Sequence, residues 1–270
     1  MTDSTNEKKF PNTKTVYGPV KSWRFGMSLG IDPIFEISTC SFNCIYCQLG
    51  EIQDVTNLVK EYVPTKKVLE DFKEVIEKEI PIDVVTYSGS GEPSLAKNLG
   101  DMINGIRAIK PELPQYILTN ATHLIEPEVR KNLLALDKII VKIDASNEEN
   151  FKLINRPAEG VTLKRVLEGI KLLKSEFKGE IEVQSMFMPI NDKHLEDLAS
   201  ILKEISPSAV QLNTPKRPYP LSWHRENRGN HELVFDYEVR ELKKVDENRA
   251  VEIQKQLEEK TGLKIYSVYR

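Results

Sequence analysis

Cys40-Ser41-Phe42-Asn43-Cys44-Ile45-Tyr46-Cys47 contains every cysteine of the 270-residue chain, spaced C-x3-C-x2-C. A chain of this length has no packing reason to gather its thiols into one short stretch, so the grouping points to a metal. Cys44 and Cys47 lie between polar Asn43 and Gln48 in a loop-like stretch, which argues against three buried apolar side chains. Structural zinc takes four ligands, usually from C-x2-C pairs. There is no fourth cysteine, and His123, His194, His224 and His231 are remote from the loop and lack the H-x3–5-H spacing. An iron–sulfur cubane normally takes four thiolates. Three leave one iron open, the arrangement a cluster needs if it is to bind a ligand and do chemistry.

The rest of the chain is that of an ordinary globular protein. Apolar residues make up 40% and charged residues 29%. Thirty-eight Lys and Arg against 41 Asp and Glu leave a net charge of −3, so no global field draws it to nucleic acid or membrane. No apolar run approaches the roughly 18 residues of a membrane span, and the polar start Met1 to Lys9 lacks a signal-peptide core. An odd cysteine count without a signal argues for a reducing compartment, so the expected location is the cytoplasm.

Residues 1–14 are polar and aperiodic and are expected to form a mobile arm. Tyr17 to Leu29 reads as an ordered loop or edge segment, and Ile34 to Ser38 as a strand that delivers the cysteine loop. Strand–helix alternation follows. Val68, Leu69, Phe72, Val75 and Ile76 mark a helix opened by Pro64-Thr65, and Val84 to Tyr87 a strand closed by Ser88-Gly89-Ser90-Gly91-Glu92-Pro93. Leu95, Leu99, Met102, Ile103 and Ile106 mark the next helix. Strands are then expected at Tyr116–Thr119, Lys138–Ile143, Glu180–Met188 and Ala209–Asn213, with helices at Glu126–Leu136, Leu163–Phe177 and Lys193–Ile205. Repeated βα units imply a parallel sheet, either open and doubly wound or an incomplete barrel, with chemistry at the strand C-termini in both. After the core at 15–215, residues 216–270 read as an appendage: a rigid loop Pro215 to Pro220, a helix Tyr237 to Glu259 and a strand Leu263 to Tyr269.

The cysteine spacing, with aromatic Tyr46 just before the last cysteine and a strand before the loop, resembles the radical S-adenosylmethionine (SAM) superfamily. The resemblance implies an α/β fold, a partial (β/α)6 TIM-like barrel with a short C-terminal appendage. It implies that Cys40, Cys44 and Cys47 ligate a [4Fe–4S] cluster and that SAM chelates the fourth iron through its amino and carboxylate groups. An electron, from a flavodoxin- or ferredoxin-type donor, would cleave SAM to methionine and a 5′-deoxyadenosyl radical that abstracts a substrate hydrogen. Residues 88–93 resemble the superfamily's Gly-Gly-Glu motif, with Ser90 where the motif has glycine. Gly89, Ser90, Gly91 and Glu92 would meet the methionine portion, Glu92 accepting from its ammonium; without the resemblance, this is a turn with a helix N-cap at Ser94. Asn120 would help position SAM or make an Asx turn. Lys142 stands where many relatives have the serine of Ser-Leu-Asp-Ala. Alternation puts it on the same side as Asp144, so it faces either the SAM carboxylate or a structural partner in Asp144. Gln184, Gln211 and Asn213 would reach the ribose or adenine, or be satisfied within the protein.

Lys21 to Asp32, Gln48-Leu49-Gly50, Asn155-Arg156-Pro157 and Leu212-Asn213-Thr214-Pro215 look like one branch of the superfamily, that of the wyosine-base enzymes acting on phenylalanine tRNA. Those enzymes carry further cysteines for a second cluster, and this chain has none. Basic residues interleaved with aromatics, Lys216-Arg217-Pro218-Tyr219, Trp223-His224-Arg225 and Arg228, are where RNA would be held. The readings that stand are a radical SAM enzyme acting on a small molecule, tRNA modification of the wyosine type, a glycyl-radical activating enzyme, and a non-catalytic iron–sulfur electron carrier.

Overall fold

The computed structural model describes residues 14–229 and 236–269. The arm expected over residues 1–14 lies, except for Lys14, outside the described residues, as does His231. The strands are β1 Val16–Ser22, β2 Gly26–Ile31, β3 Thr39–Cys40, β4 Asp54–Val55, β5 Val84–Tyr87, β6 Gln115–Thr119, β7 Lys138–Lys142, β8 Glu180–Met186, β9 Ala209–Asn213, β10 Tyr219–Pro220, β11 Val239–Arg240 and β12 Ile265–Ser267. The helices are α1 Thr65–Ile76, α2 Leu99–Ile109, α3 Pro127–Leu133, α4 Glu148–Ile154, α5 Leu163–Glu176, α6 Leu195–Ile205 and α7 Glu247–Thr261. None of the described helices is long and apolar enough to cross a membrane.

The main sheet has eight strands in the order β1-β2-β5-β6-β7-β8-β9-β12. Only β1 runs antiparallel to its neighbour; the rest are parallel. Strand order never reverses, so each crossover adds the next strand on the same side. That is barrel winding; a doubly wound sheet would reverse at a switch point. Among the described residues no pairing joins β12 to β1, so the barrel stays open. The partial-barrel architecture is therefore the one realised.

Two-residue alternation divides each strand between the two faces. Leu29, Ile31, Val85, Tyr87, Ile117, Ile139, Val141, Val183, Val210 and Leu212 are buried in the core. They meet the apolar stripes of the helices, such as Val68, Phe72 and Val75 of α1 or Leu195, Leu198 and Leu202 of α6. Each fully buried aliphatic or aromatic side chain contributes about 1.5–3 kcal/mol. The intervening residues, Ser28, Gly30, Thr86, Leu118, Ile140, Lys142, Gln184, Met186 and Asn213, line the concave interior.

Three expectations are corrected. Ile34 to Ser38 is not a strand: Asp32 Oδ1 accepts from the N–H groups of Ile34 (3.1 Å) and Phe35 (2.9 Å), and Phe35 has φ 67. This Asx-type turn overrides the β-propensity of Ile34 and Phe35. Tyr17 to Leu29 does hold an edge strand, β1, but the first barrel strand, β2, also begins in it and runs on to Ile31; a methyl on its Gly30 would lie 2.2 Å from the Tyr17 ring. The last helix begins at Glu247, capped by Asp246 Oδ1 accepting from Arg249 N–H (2.8 Å), rather than at Tyr237. Helix α4 was not foreseen; Asn147 caps it, accepting from Asn150 N–H (2.9 Å).

Candidate functional site

The cysteine loop enters beside the turn that follows β5. Thr39 N–H donates to the Ser90 carbonyl and Glu92 N–H to the Thr39 carbonyl, both at 3.0 Å. This approach requires glycine: a methyl on Gly91 would lie 1.7 Å from the Thr39 oxygen, and Gly89 has φ +152 with Asp32 Cγ 2.3 Å from where its Cβ would be. The far side of the loop is laced to the end of α4. Asn43 and Ile45 N–H groups donate to the Asn155 and Ile154 carbonyls (3.0 Å each), and Ala158 N–H to the Ser41 carbonyl (2.8 Å). Cys47 N–H donates to the Cys44 carbonyl (3.0 Å), closing the turn that holds the last two cysteines together.

All three thiols line one cavity of about 620 Å³. Burial pushes the Cys44 thiol up to about 12 and the Cys47 thiol to about 11. Cys40 is pushed well above its ordinary range by burial and then by Glu92. The thiols therefore stay protonated unless a metal centre displaces the protons. Each thiol lies within electrostatic reach of another, yet among the described residues no three His, Cys, Asp or Glu side chains close on a single ion. A soft, all-thiol donor set fits an iron–sulfur cluster. Donors point at the sulfurs as such a cluster needs: Phe42 N–H to Cys40 Sγ (3.4 Å), Asn120 Nδ2 to the same sulfur (3.6 Å) and Asn155 Nδ2 to Cys44 Sγ (3.4 Å).

Tyr46, Gly89, Gly91, Asn120, Lys142, Gln184 and Asn213 line the same cavity, whereas Ser90, Glu92 and Asp144 sit behind its wall. Glu92 Oε1 accepts from Ser94 N–H (3.0 Å) and the Thr119 hydroxyl (2.6 Å), and Oε2 from Asn120 N–H (2.7 Å). Its carboxylate thus ties the glycine turn to the end of β6, and Glu92 rather than Ser94 caps the short 3-10 turn Pro93–Leu95. Ser90 donates from its N–H (3.0 Å) and hydroxyl (2.6 Å) to Asp32 Oδ2. Asn120 makes the Asx turn, its Oδ1 accepting from Thr122 N–H (3.1 Å), and also donates to Ser41 Oγ (2.9 Å).

Lys142 meets its structural partner. Its Nζ lies 2.6 Å from Asp144 Oδ1, which also accepts from Met186 N–H (2.7 Å). Asp144 Oδ2 accepts from the Tyr46 hydroxyl and from Asn155 Nδ2 (2.8 Å). Lys142 Nζ is 5.1 Å from the centre of the Tyr46 ring. This network fixes Tyr46 and Asn155 beside Cys44. Gln184 donates to Gln211 Oε1 (3.3 Å), and Gln211, which does not line this cavity, donates on to Glu182.

Asp32 and Asn155 were not read as site residues, yet both organise the site. Asp32 holds Ser90 and Arg228 (Nη1, 2.8 Å), and Asn155 bridges Cys44 and Asp144. Their sequence signals, Asp-Pro after a strand and Asn-Arg-Pro after a helix, announce turns and not those partners.

Residues 37–202 match the Radical SAM superfamily, and the chain belongs to that family. The UPF0026 protein slr1464 of Synechocystis sp. is 44% identical over 253 residues, covering 93% of this chain and 94% of its own. Streptococcus suis SuiB bound to S-adenosylmethionine superposes with a TM-score of 0.63 at 15% identity; 90% of this chain is covered, but only 50% of SuiB. TYW1 with a lysine-pyruvate adduct superposes with a TM-score of 0.58 at 14% identity, covering 88% of this chain and 75% of TYW1. At these identities the likeness to the solved structures is one of fold.

Proposed function

We propose that this chain is a radical SAM enzyme whose active site is the cavity at the C-terminal ends of the strands. The observation that carries this reading is the set of three thiols lining a cavity of about 620 Å³ together with Gly89 and Gly91 of the turn beside them. Cys40, Cys44 and Cys47 hold a [4Fe–4S] cluster that, once bound, supplies the electron for reductive cleavage of SAM to a 5′-deoxyadenosyl radical. The Gly89 to Gly91 backbone, bare of side chains, gives close access to the amino-acid portion of SAM. Lys142, held by Asp144, presents its ammonium to the cavity, where a carboxylate can approach it. Gln184 and Asn213 offer amide groups to the ribose and adenine. Phe42, Leu49, Ile52, Leu118, Ile140 and Met186 line the cavity with apolar surface, which excludes water from a reactive intermediate. A flavodoxin- or ferredoxin-type protein delivers the electron.

Anaerobic reconstitution with iron and sulfide, followed by SAM and dithionite, tests the proposal. The expected result is a cubane spectrum and 5′-deoxyadenosine, both lost in Cys44→Ala. A cubane that forms without any 5′-deoxyadenosine leaves an electron carrier instead. Wyosine-type tRNA modification is separated by the tRNA nucleosides of a deletion strain: a missing modified nucleoside supports it, and an unaltered profile removes it.

A further inference from the structure

The cavity wall is electrostatically one-sided. Among the described residues, Lys21, Arg24, Lys142, Lys216, Arg217 and Arg228 line it and no Asp or Glu does, although the chain as a whole carries −3. Lys142 and Arg228 have carboxylates behind them, Asp144 at 2.6 Å and Asp32 at 2.8 Å. Among the described residues, Lys21 and Lys216 make no ion pair with a carboxylate; Arg24 makes none directly but feels the charge of Glu182, to which its acceptor Gln211 donates.

Arg24 sits in the turn between β1 and β2, with its guanidinium carbon 5.7 Å from the Trp23 ring centre and 5.0 Å from that of Phe25. It donates to Gln211 Oε1 (3.0 Å), while its Nε–H is buried without an acceptor. Burial lowers it to about 10, so it stays cationic at neutral pH. The Arg228 side chain is 6% exposed, and its Nε–H is likewise buried without an acceptor. Both Nε–H groups are closed off from the cavity, so it is the charge of the two guanidiniums on its lining, and not an unmet donor, that a ligand would meet.

The cofactors add no net charge to offset the cations of the lining. An oxidised cubane held by three thiolates carries one net negative charge and SAM one net positive charge, so together they are neutral. Resting on the reading of the cavity as a radical SAM chamber, we infer that the substrate is a small, multiply charged anion, a phosphate ester or a polycarboxylate. Its acidic groups meet Arg24 at the N-terminal end of the half-barrel, or Lys216, Arg217 and Arg228 at the other end. Arginine forks match such oxyanions with paired hydrogen bonds. About 620 Å³ shared with SAM leaves room for a small molecule. The cations line a half-open cavity in a protein whose net charge is −3, which favours a small anion over a nucleic acid.

The test uses protein reconstituted with its cluster, loaded with SAM, and titrated at constant ionic strength with pyrophosphate, citrate or neutral glycerol. The readout is the fluorescence of the two tryptophans, of which Trp23 lines the cavity. Saturable quenching by pyrophosphate or citrate, but not glycerol, is expected, and the tighter of the two identifies the acidic group. One of Arg24→Gln and Lys216→Gln weakens that binding about tenfold, and which one it is places the acidic groups at one end of the half-barrel or the other. Arg24→Lys weakens it less, and Lys255→Gln on the exposed side of α7 leaves it unchanged; the cluster's visible absorbance reports that each variant is folded. Absence of saturable binding at millimolar anion overturns the inference, as does binding that both charge-removing variants leave intact. Binding of tRNA that neither small anion displaces also overturns it, in favour of RNA. Anion binding is read without turnover, so failure to form 5′-deoxyadenosine sinks the proposed function separately.

Discussion

Gly91→Ala puts a methyl group where the cysteine loop and the glycine turn touch. The added carbon would lie 1.7 Å from the Thr39 carbonyl oxygen, with the Thr39 carbonyl carbon at 2.5 Å and its nitrogen at 3.0 Å, all of it backbone. Real Cβ contacts essentially never fall under 3.0 Å, so the two strands must part by at least 1.3 Å (3.0 − 1.7). The hydrogen bonds that join them, Thr39 N–H to Ser90 and Glu92 N–H to Thr39, are each 3.0 Å long. Opening by that amount breaks both. Two buried backbone hydrogen bonds at about 1 kcal/mol each, plus residual overpacking of about 1–3 kcal/mol, give a loss of roughly 3–5 kcal/mol. In a domain of this size that lowers Tm by roughly 6–20 °C. The damage is local to Cys40, so iron incorporation on reconstitution falls along with stability. Denaturant unfolding of the apoprotein and iron content after reconstitution are the measurements. An alanine variant that unfolds at the wild-type midpoint and takes up full iron would refute the reasoning. Gly160→Ala is the control: it has nothing within 4 Å and only its φ of +79 to strain, so it should lose about 1 kcal/mol and keep its iron.

Asp144→Asn removes the charge behind Lys142 and disturbs the acceptor of Tyr46 and Asn155. With one partner of a buried pair removed, apoprotein stability should drop by about 3–5 kcal/mol, and an unchanged denaturation midpoint would count against the network. Asp71 supplies a pH dependence. Burial opposes its charge, but Lys67 together with the Thr15 N–H and hydroxyl outweighs burial and holds the carboxyl below its ordinary range. A depressed carboxyl stabilises the fold above the unfolded value of about 4, and that contribution is lost as pH falls through the folded value. The stability gap between wild type and Asp71→Asn should therefore be full at neutral pH and close below about pH 4; a gap that is constant across this range contradicts the assignment.

The strands from Val84 to Asn213 were legible because they are apolar runs cut by turn residues, a local property of the chain. The first barrel strand was not. In Gly26-Met27-Ser28-Leu29-Gly30-Ile31 the glycines mask β-propensity, and they are there because Asp83 and the Tyr17 ring occupy the space a side chain would need. Ile34 to Ser38 has the better local signal and loses to a turn fixed by Asp32. Lys142 was recognisable as a polar residue on an apolar strand. Whether it faced a ligand or Asp144 depended on Tyr46, Asn155 and Met186 converging on the same carboxylate.

The sequence by itself pointed to a metal site and to an α/β fold of repeated βα units. Both rest on short-range patterns: three thiols at C-x3-C-x2-C spacing, and apolar periodicity alternating between two and 3.6 residues. Apolar periodicity left barrel and doubly wound sheet open; the family resemblance pointed to the partial barrel, and the strand order, a matter of which edge each strand joins, realises it. Only the tertiary structure turned Glu92, Ser90 and Asp144 away from the cavity. It also brought Lys21, Arg24, Lys142, Lys216, Arg217 and Arg228 to one cavity. Charges some 200 residues apart in an acidic chain make a cationic chamber only when the sheet curls around them.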